Sequence, residues 1–229
     1  MKRLFALLLA LALFLPSLAA GEKFSPDGID DARARALETL GTCVCVSAGG
    51  SVIRWHGPIR IFVAGSPSRD DLKDLDSFVT ELQMRVPGLP RVTRVSEEGE
   101  ANLILCFAKA AGLAERFPDY DGRSDACFSV RYDGGRITGA EVGISTRKNY
   151  RTNRPHMLRE SLVHVLGLTG VQRQYSDSIL YRGKGDQSSK VRVLSDLDWL
   201  MLNLLYSPPV RPGDTWPAVR DAVAAHYGL

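Results

Sequence analysis

Glu160 and His164 stand four residues apart in RESLVHVLGL, residues 159–168. On a helix that spacing puts both side chains on one face. A carboxylate and an imidazole so placed can hold a divalent ion between them, or they can form a hydrogen-bonded pair inside a core. Gly167 follows three residues later, where the chain can turn sharply back toward the pair. Zinc catalysis needs three protein ligands and an open position, and this stretch supplies two. His156 lies on the same stripe but about 12 Å back along the axis, from eight residues at 1.5 Å each. His56 and Asp177 are other donors that the chain could bring in from elsewhere.

The elements that must position this pair are legible from pattern. The spacing predicts a helix from Pro155 to Gly167. SPSRDDLKDLDSFVTELQMRV opens on capping residues, and Leu72, Leu75, Phe78, Val79, Leu82 and Val86 recur at helical spacing until Pro87 and Gly88 stop them. GPIRIFVAG, RVTRV and ANLILCFA read as strands. DACFSVRYDGGRITGAEVGIST reads as a hairpin turning at Asp133-Gly134-Gly135. SDLDWLMLNLLYS is a helix capped by Ser195, and TWPAVRDAVAAHYG is a last short helix with Pro217 early. Near the start, IDDARARALETLG predicts a short helix ended by Gly41, and CVCVSAGGSVIRW predicts a hairpin. Residues 109–124 are expected to be a surface excursion, and YRGKGDQSSK (181–190) a surface loop. Trp55, Trp199 and Trp216 are expected in the core or at docking faces. Strands grouped ahead of terminal helices make an α+β domain with a mixed sheet.

The first twenty residues, MKRLFALLLALALFLPSLAA, combine two cations, a short apolar run, Pro16 and small residues, which is the layout of a secretory signal peptide. The expected division is a signal peptide over 1–20, a leader with a short helix over 21–41 and a single domain over 42–229 with its core at 58–213. The expected location is periplasmic or secreted, with no transmembrane anchor in the mature chain. The formal net charge of +3 falls by two once Lys2 and Arg3 are removed. A balance that close to neutral, with scattered arginines, excludes nucleic acid as a partner. Cys43, Cys45, Cys106 and Cys127 in an exported chain predict disulfides of open connectivity. Direct closure of Cys43 on Cys45 is geometrically awkward, so each is expected to seek a distant partner; a Cys106–Cys127 bridge is the other possibility.

The pattern around the opening stretch resembles two families. Metzincin zinc proteases carry H-E-x-x-H-x-x-G-x-x-H, then a Met-turn, then a helix. Aligned on the glycine, this chain reads E-S-L-V-H-V-L-G-L-T-G from Glu160 to Gly170, and Ser178-Ile179-Leu180-Tyr181 falls at the Met-turn. The chain is more similar to the bacterial family called domain of unknown function 2927, whose R-E-E-x-x-Q-x-L-G-L, S-I-F and L-L-x-L-Y-x-P pieces appear as RESLVHVLGL, SILY and LNLLYSPP. That resemblance is strongest over residues 155–213 and extends from about residue 42. It implies a metzincin-like twisted mixed sheet with one helix packed on it, an active-site-type helix and C-terminal helices.

The departures from the protease motif bear on function. Glu160 replaces the first zinc histidine, Ser161 replaces the glutamate that would activate water, and Gly170 has no side chain for the third ligand. A serine cannot serve unaided as a general base near neutral pH. The expectation is therefore an exported, catalytically degenerate domain that binds a peptide or an envelope protein. Glu160 and His164 are its only candidate metal ligands, with no cofactor or with zinc. Ser161, Gly167, Ser178 and Tyr181 are its cleft or turn positions. The alternatives are an active zinc-dependent metallopeptidase with a rearranged site and a structural envelope component.

Overall fold

The computed structural model describes residues 26–44 and 50–229. The expected signal peptide and Cys45 lie outside the described residues.

Five strands form one mixed sheet in the order β2-β1-β3-β5-β4. They are β1 (Ile59–Gly65), β2 (Val92–Arg94), β3 (Leu103–Ala108), β4 (Ala126–Asp133) and β5 (Arg136–Ser145). The neighbours β1–β2, β1–β3 and β3–β5 run parallel, and β4 returns antiparallel to β5. Six helices complete the α+β fold: α1 (Pro26–Val44), α2 (Arg69–Arg85), α3 (Ala110–Arg116), α4 (Arg154–Val165), α5 (Asp196–Leu205) and α6 (Trp216–Tyr227).

Alternation sets the faces of the sheet. Ile59, Ile61, Leu103, Leu105, Phe107, Ala140, Val142 and Ile144 all point into one core, where they meet residues of α1, α2, α4 and α5. The start of α2 is fixed by a capping box in which Ser68 and Asp71 exchange side-chain and backbone bonds; Ser195 and Asp198 repeat the device at α5. The β4–β5 turn falls at Gly134 and Gly135, both with positive φ.

Four expectations are corrected. Gly41 does not end α1, which runs on to Val44. The glycine is there for close packing, since a Cβ on it would come within 2.6 Å of the Trp216 indole. The hairpin expected over residues 43–55 does not form among the described residues. Cys43 and Val44 close α1 instead, and Ser51 and Arg54 make isolated bridges to Thr215 and Arg136. The excursion at 109–124 contains α3, whose Leu113 is fully buried against the outer face of the sheet. The expected disulfides are absent among the described residues, where Cys43, Cys106 and Cys127 are free thiols. Cys43 is sealed in the core at the end of α1. Cys106 on β3 and Cys127 on β4 both sit opposite Gly143, with β5 between them. Two interstrand spacings come to about 9.6 Å, beyond the Cα separation of about 7 Å that a disulfide tolerates.

Ala36, Leu37 and Leu40 of α1 belong to the same core as α5.

Candidate functional site

Helix α4 is buried along nearly its whole length. The sheet's β4–β5 end lies on one side of it and α2 on another. The segment between α4 and α5 contacts it through Leu168, Arg182 and Val191. A helix closed in on every side reads as apolar all round, yet this one carries two arginines, two histidines and a glutamate into the interior. Each of these must find a partner there.

The arginines turn toward α2. Arg154 Nη1 donates to Asp71 at 2.7 Å, and Arg159 grips both oxygens of Asp74 at 3.1 Å. Such charge-assisted and bidentate bonds dock α4 on the acidic first turns of α2.

His156, Glu160 and His164 form a row on α4, each one turn apart, and the carboxylate is its centre. His156 Nε2 stands 3.2 Å from Glu160 Oε2, without hydrogen-bond alignment, and His164 Nε2 stands 3.9 Å from Oε1. The Nδ1 nitrogens face backbone carbonyls, Val191 O for His156 and Leu168 O for His164, both at 2.7 Å. A carbonyl only accepts, so each Nδ1 carries the proton and each Nε2 is turned toward the carboxylate. Arg182 completes the cluster by donating from Nη1 to Glu160 Oε1. Burial alone would push the Glu160 carboxyl up, but His156, Arg182 and His164 outweigh it and hold the carboxyl below its ordinary value. Burial lowers the His164 imidazole, against the pull of Glu160 and the bond to Leu168.

The carboxyl end of α4 is shaped by its neighbours. Trp55 Nε1 donates to Val165 O and the Tyr206 hydroxyl to Leu166 O, both at 2.8 Å. The chain then reverses at Gly167, whose φ is +118° and whose Cβ position would lie 2.3 Å from Ile53 O. Only glycine fits there. Further on, the Ser178 hydroxyl donates to Asp198 Oδ1 at 2.6 Å, and the Ile179 N–H donates to Oδ2 at 2.9 Å. Tyr181 closes that turn with its N–H on Ser178 O. Ser161 is buried within α4.

Sequence spacing thus brought together Glu160 and His164, and the fold adds His156 and Arg182. His156 reaches Glu160 from the opposite side to His164, so the two imidazoles meet different oxygens of one carboxylate. Arg182 belongs to the stretch 181–190 that its composition predicts as a surface loop. The signal that could have found it is physical: a buried glutamate needs a cation, and the segment after Gly167 is the nearest chain that supplies one. The cluster does not fit a zinc site. The ordinary place of the cation is taken by a guanidinium, and among the described residues no group of three or more His, Cys, Asp or Glu side chains is placed to hold an ion.

Above this cluster lies the edge of the sheet. The Phe128 ring of β4 stacks on the His164 imidazole, with centroids 4.7 Å apart and planes 15° apart. The register fixes which backbone groups of β4 face outward. Ala140 N–H donates to Asn102 O on the far side of β5, so its partner Val130 sits in a pair without mutual hydrogen bonds. The N–H and C=O groups of Ala126, Phe128 and Val130 therefore point to the open edge, while Ser145 N–H, at an alternate position, bonds inward to Asp125 O.

Residues 42–225 match the model of a family described as Protein of unknown function (DUF2927). No curated protein matches the chain.

Proposed function

The chain belongs to the DUF2927 family, a family of unknown function, and we propose from its geometry that it is an exported, metzincin-like domain that binds rather than cleaves. Its ligand is an extended peptide segment, free or part of an envelope protein, laid along the edge of β4. The observation that carries this reading is the open edge itself. Among the described residues, the outward backbone groups of Ala126, Phe128 and Val130 have no partner, and they lie beside an apolar row immediately above the Glu160–His164 cluster. An exposed edge of this kind is a template for an added strand. Support for the absence of catalysis comes from Arg182, which neutralises Glu160, and from Ser161 at the place of the general base. Support for export comes from the layout of residues 1–20.

The test is selection from a displayed random heptapeptide library, followed by amide exchange on the complex. Enriched peptides should protect the N–H groups of Phe128 and Val130. Val130→Pro should abolish binding while leaving the β4–β5 ladder intact, because that N–H takes no part in it. Peptides that bind equally well to Val130→Pro would remove the edge from the account. Stoichiometric zinc with peptidase activity abolished by His164→Ala would overturn the non-catalytic half.

A further inference from the structure

Native edge strands are usually guarded by lysine, proline, a bulge or a covering loop, because a bare edge invites another strand. The central part of β4 carries none of the sequence guards. Residues 126–130 read ACFSV, without charge, proline or glycine, and the irregularity of the ladder falls past them, between Arg131 and Tyr132. Phe128 is 36% exposed on this edge. The strand always at hand to such an edge is β4 of a second copy.

Two copies of β4 can pair antiparallel about a twofold axis normal to the sheet. The outward backbone groups belong to Ala126, Phe128 and Val130, so these residues must face one another. Registers centred on Cys127, Phe128 or Ser129 all meet that condition, and charge separates them. Centred on Phe128, Ala126 faces the second copy's Val130, Cys127 faces its Ser129, and the two Phe128 rings stand opposite on the α4 side. At the ends, Asp125 then meets the second copy's Arg131, and Arg123 meets its Asp133. Centring on Cys127 sets Arg123 against Arg131, and centring on Ser129 sets Asp125 against Asp133. Opposite charges across a ladder stabilise it and like charges destabilise it. Arg131 keeps 61% of its side chain exposed beside Glu141, and the Asp125 carboxylate takes a long 3.4 Å bond from Asn153, which leaves each able to turn outward.

We propose that a second copy of this chain covers the β4 edge, antiparallel and centred on Phe128. The inference rests on the same open edge as the peptide reading and adds its regulation. The paired edge is closed, and a peptide reaches it only by displacing the second copy. An interface built on one strand is small enough for such exchange.

Sedimentation velocity of the full mature chain across a dilution series, with and without a peptide enriched on the edge, tests the pairing. A reversible monomer–dimer equilibrium is expected, shifted to monomer by the peptide. Val130→Pro should remove the dimer while the thermal midpoint holds. Arg131→Asp and Asp125→Arg should each weaken dimerisation about tenfold, since the twofold axis counts each pair twice. The double variant Asp125→Arg/Arg131→Asp should restore it, a recovery that damage to the fold would not give. A monomer at every concentration, a dimer that Val130→Pro leaves intact, no recovery in the double variant, or a dimer that persists when peptide saturates the edge would overturn the pairing. The peptide reading is judged separately, by protection of the Phe128 and Val130 amides. A charge-rescued dimer from which no peptide is ever enriched keeps the pairing and removes the peptide.

Discussion

Two buried carboxylates hold the segment between α4 and α5, and they do so by opposite means. Glu160 is surrounded by an arginine and two imidazoles. Asp198 meets only neutral donors: the Ser178 and Ser195 hydroxyls and the Ile179 and Ser195 N–H groups. Burial pushes the Asp198 carboxyl up and its four bonds do not fully reverse that, whereas the charged neighbours of Glu160 take its carboxyl down. One anchor is an ion pair that depends on a single long side chain. The other is a hydrogen-bond hub that also caps α5. The ion pair therefore concentrates its cost in one residue, and the hub spreads it.

The largest expected effect comes from breaking the ion pair. Arg182→Met leaves Glu160 buried without a cation and should cost about 3 kcal/mol in urea denaturation, at the lower end for a buried pair because Arg182 keeps 20% of its side chain exposed. The double variant Glu160→Gln/Arg182→Met should recover much of that loss, and a strictly additive double variant would refute the pairing. Next, Asp198→Asn replaces an acceptor by a donor facing other donors, and should cost about 2 kcal/mol by the same measurement. A smaller loss, about 1 kcal/mol, is expected for Ser178→Ala, which removes one spoke of the hub and leaves the others.

The smallest effect is the most discriminating, because the two anchors should tilt the pH profile in opposite directions. Glu160 has a lowered carboxyl in the folded chain, so its stabilisation is present above the ordinary carboxylate range and is lost as pH falls through the folded value. Asp198 has a raised carboxyl, so the folded chain holds its proton longer than the unfolded one. Its contribution falls as pH rises from the ordinary value toward the folded one. Denaturation across about pH 3 to 7 should therefore show Asp198→Asn gaining on the parent chain as pH rises and Glu160→Gln losing ground. Parallel profiles would erase the distinction between the anchors.

Local signals carried most of the elements. Ser68 and Ser195 announce their helices because capping is a matter of three residues, and the β4–β5 turn is announced by two glycines for the same reason. Local signals failed where distant packing outweighed them. Gly41 reads as a helix stop until Trp216, 175 positions later in the chain, is seen to occupy the space of its side chain. The alternating apolar residues after Gly41 suggest a strand, but Cys43 and Val44 are buried as the last turn of α1.

The sequence by itself determined that Glu160 and His164 share a helix face and that Gly167 ends that helix. These follow from helical periodicity and from residue chemistry, which are properties of a short stretch. Only the tertiary structure decided what the pair faces. Arg182 lies 22 residues beyond Glu160, Phe128 lies 36 before His164, and nothing in either local pattern points to the cluster. The register of β4, and with it which amides face outward, is likewise set by β5 and β3 across the sheet. Charge compensation and strand pairing depend on which chains meet in space, so the chemistry of this site was settled by the fold and not by the motif.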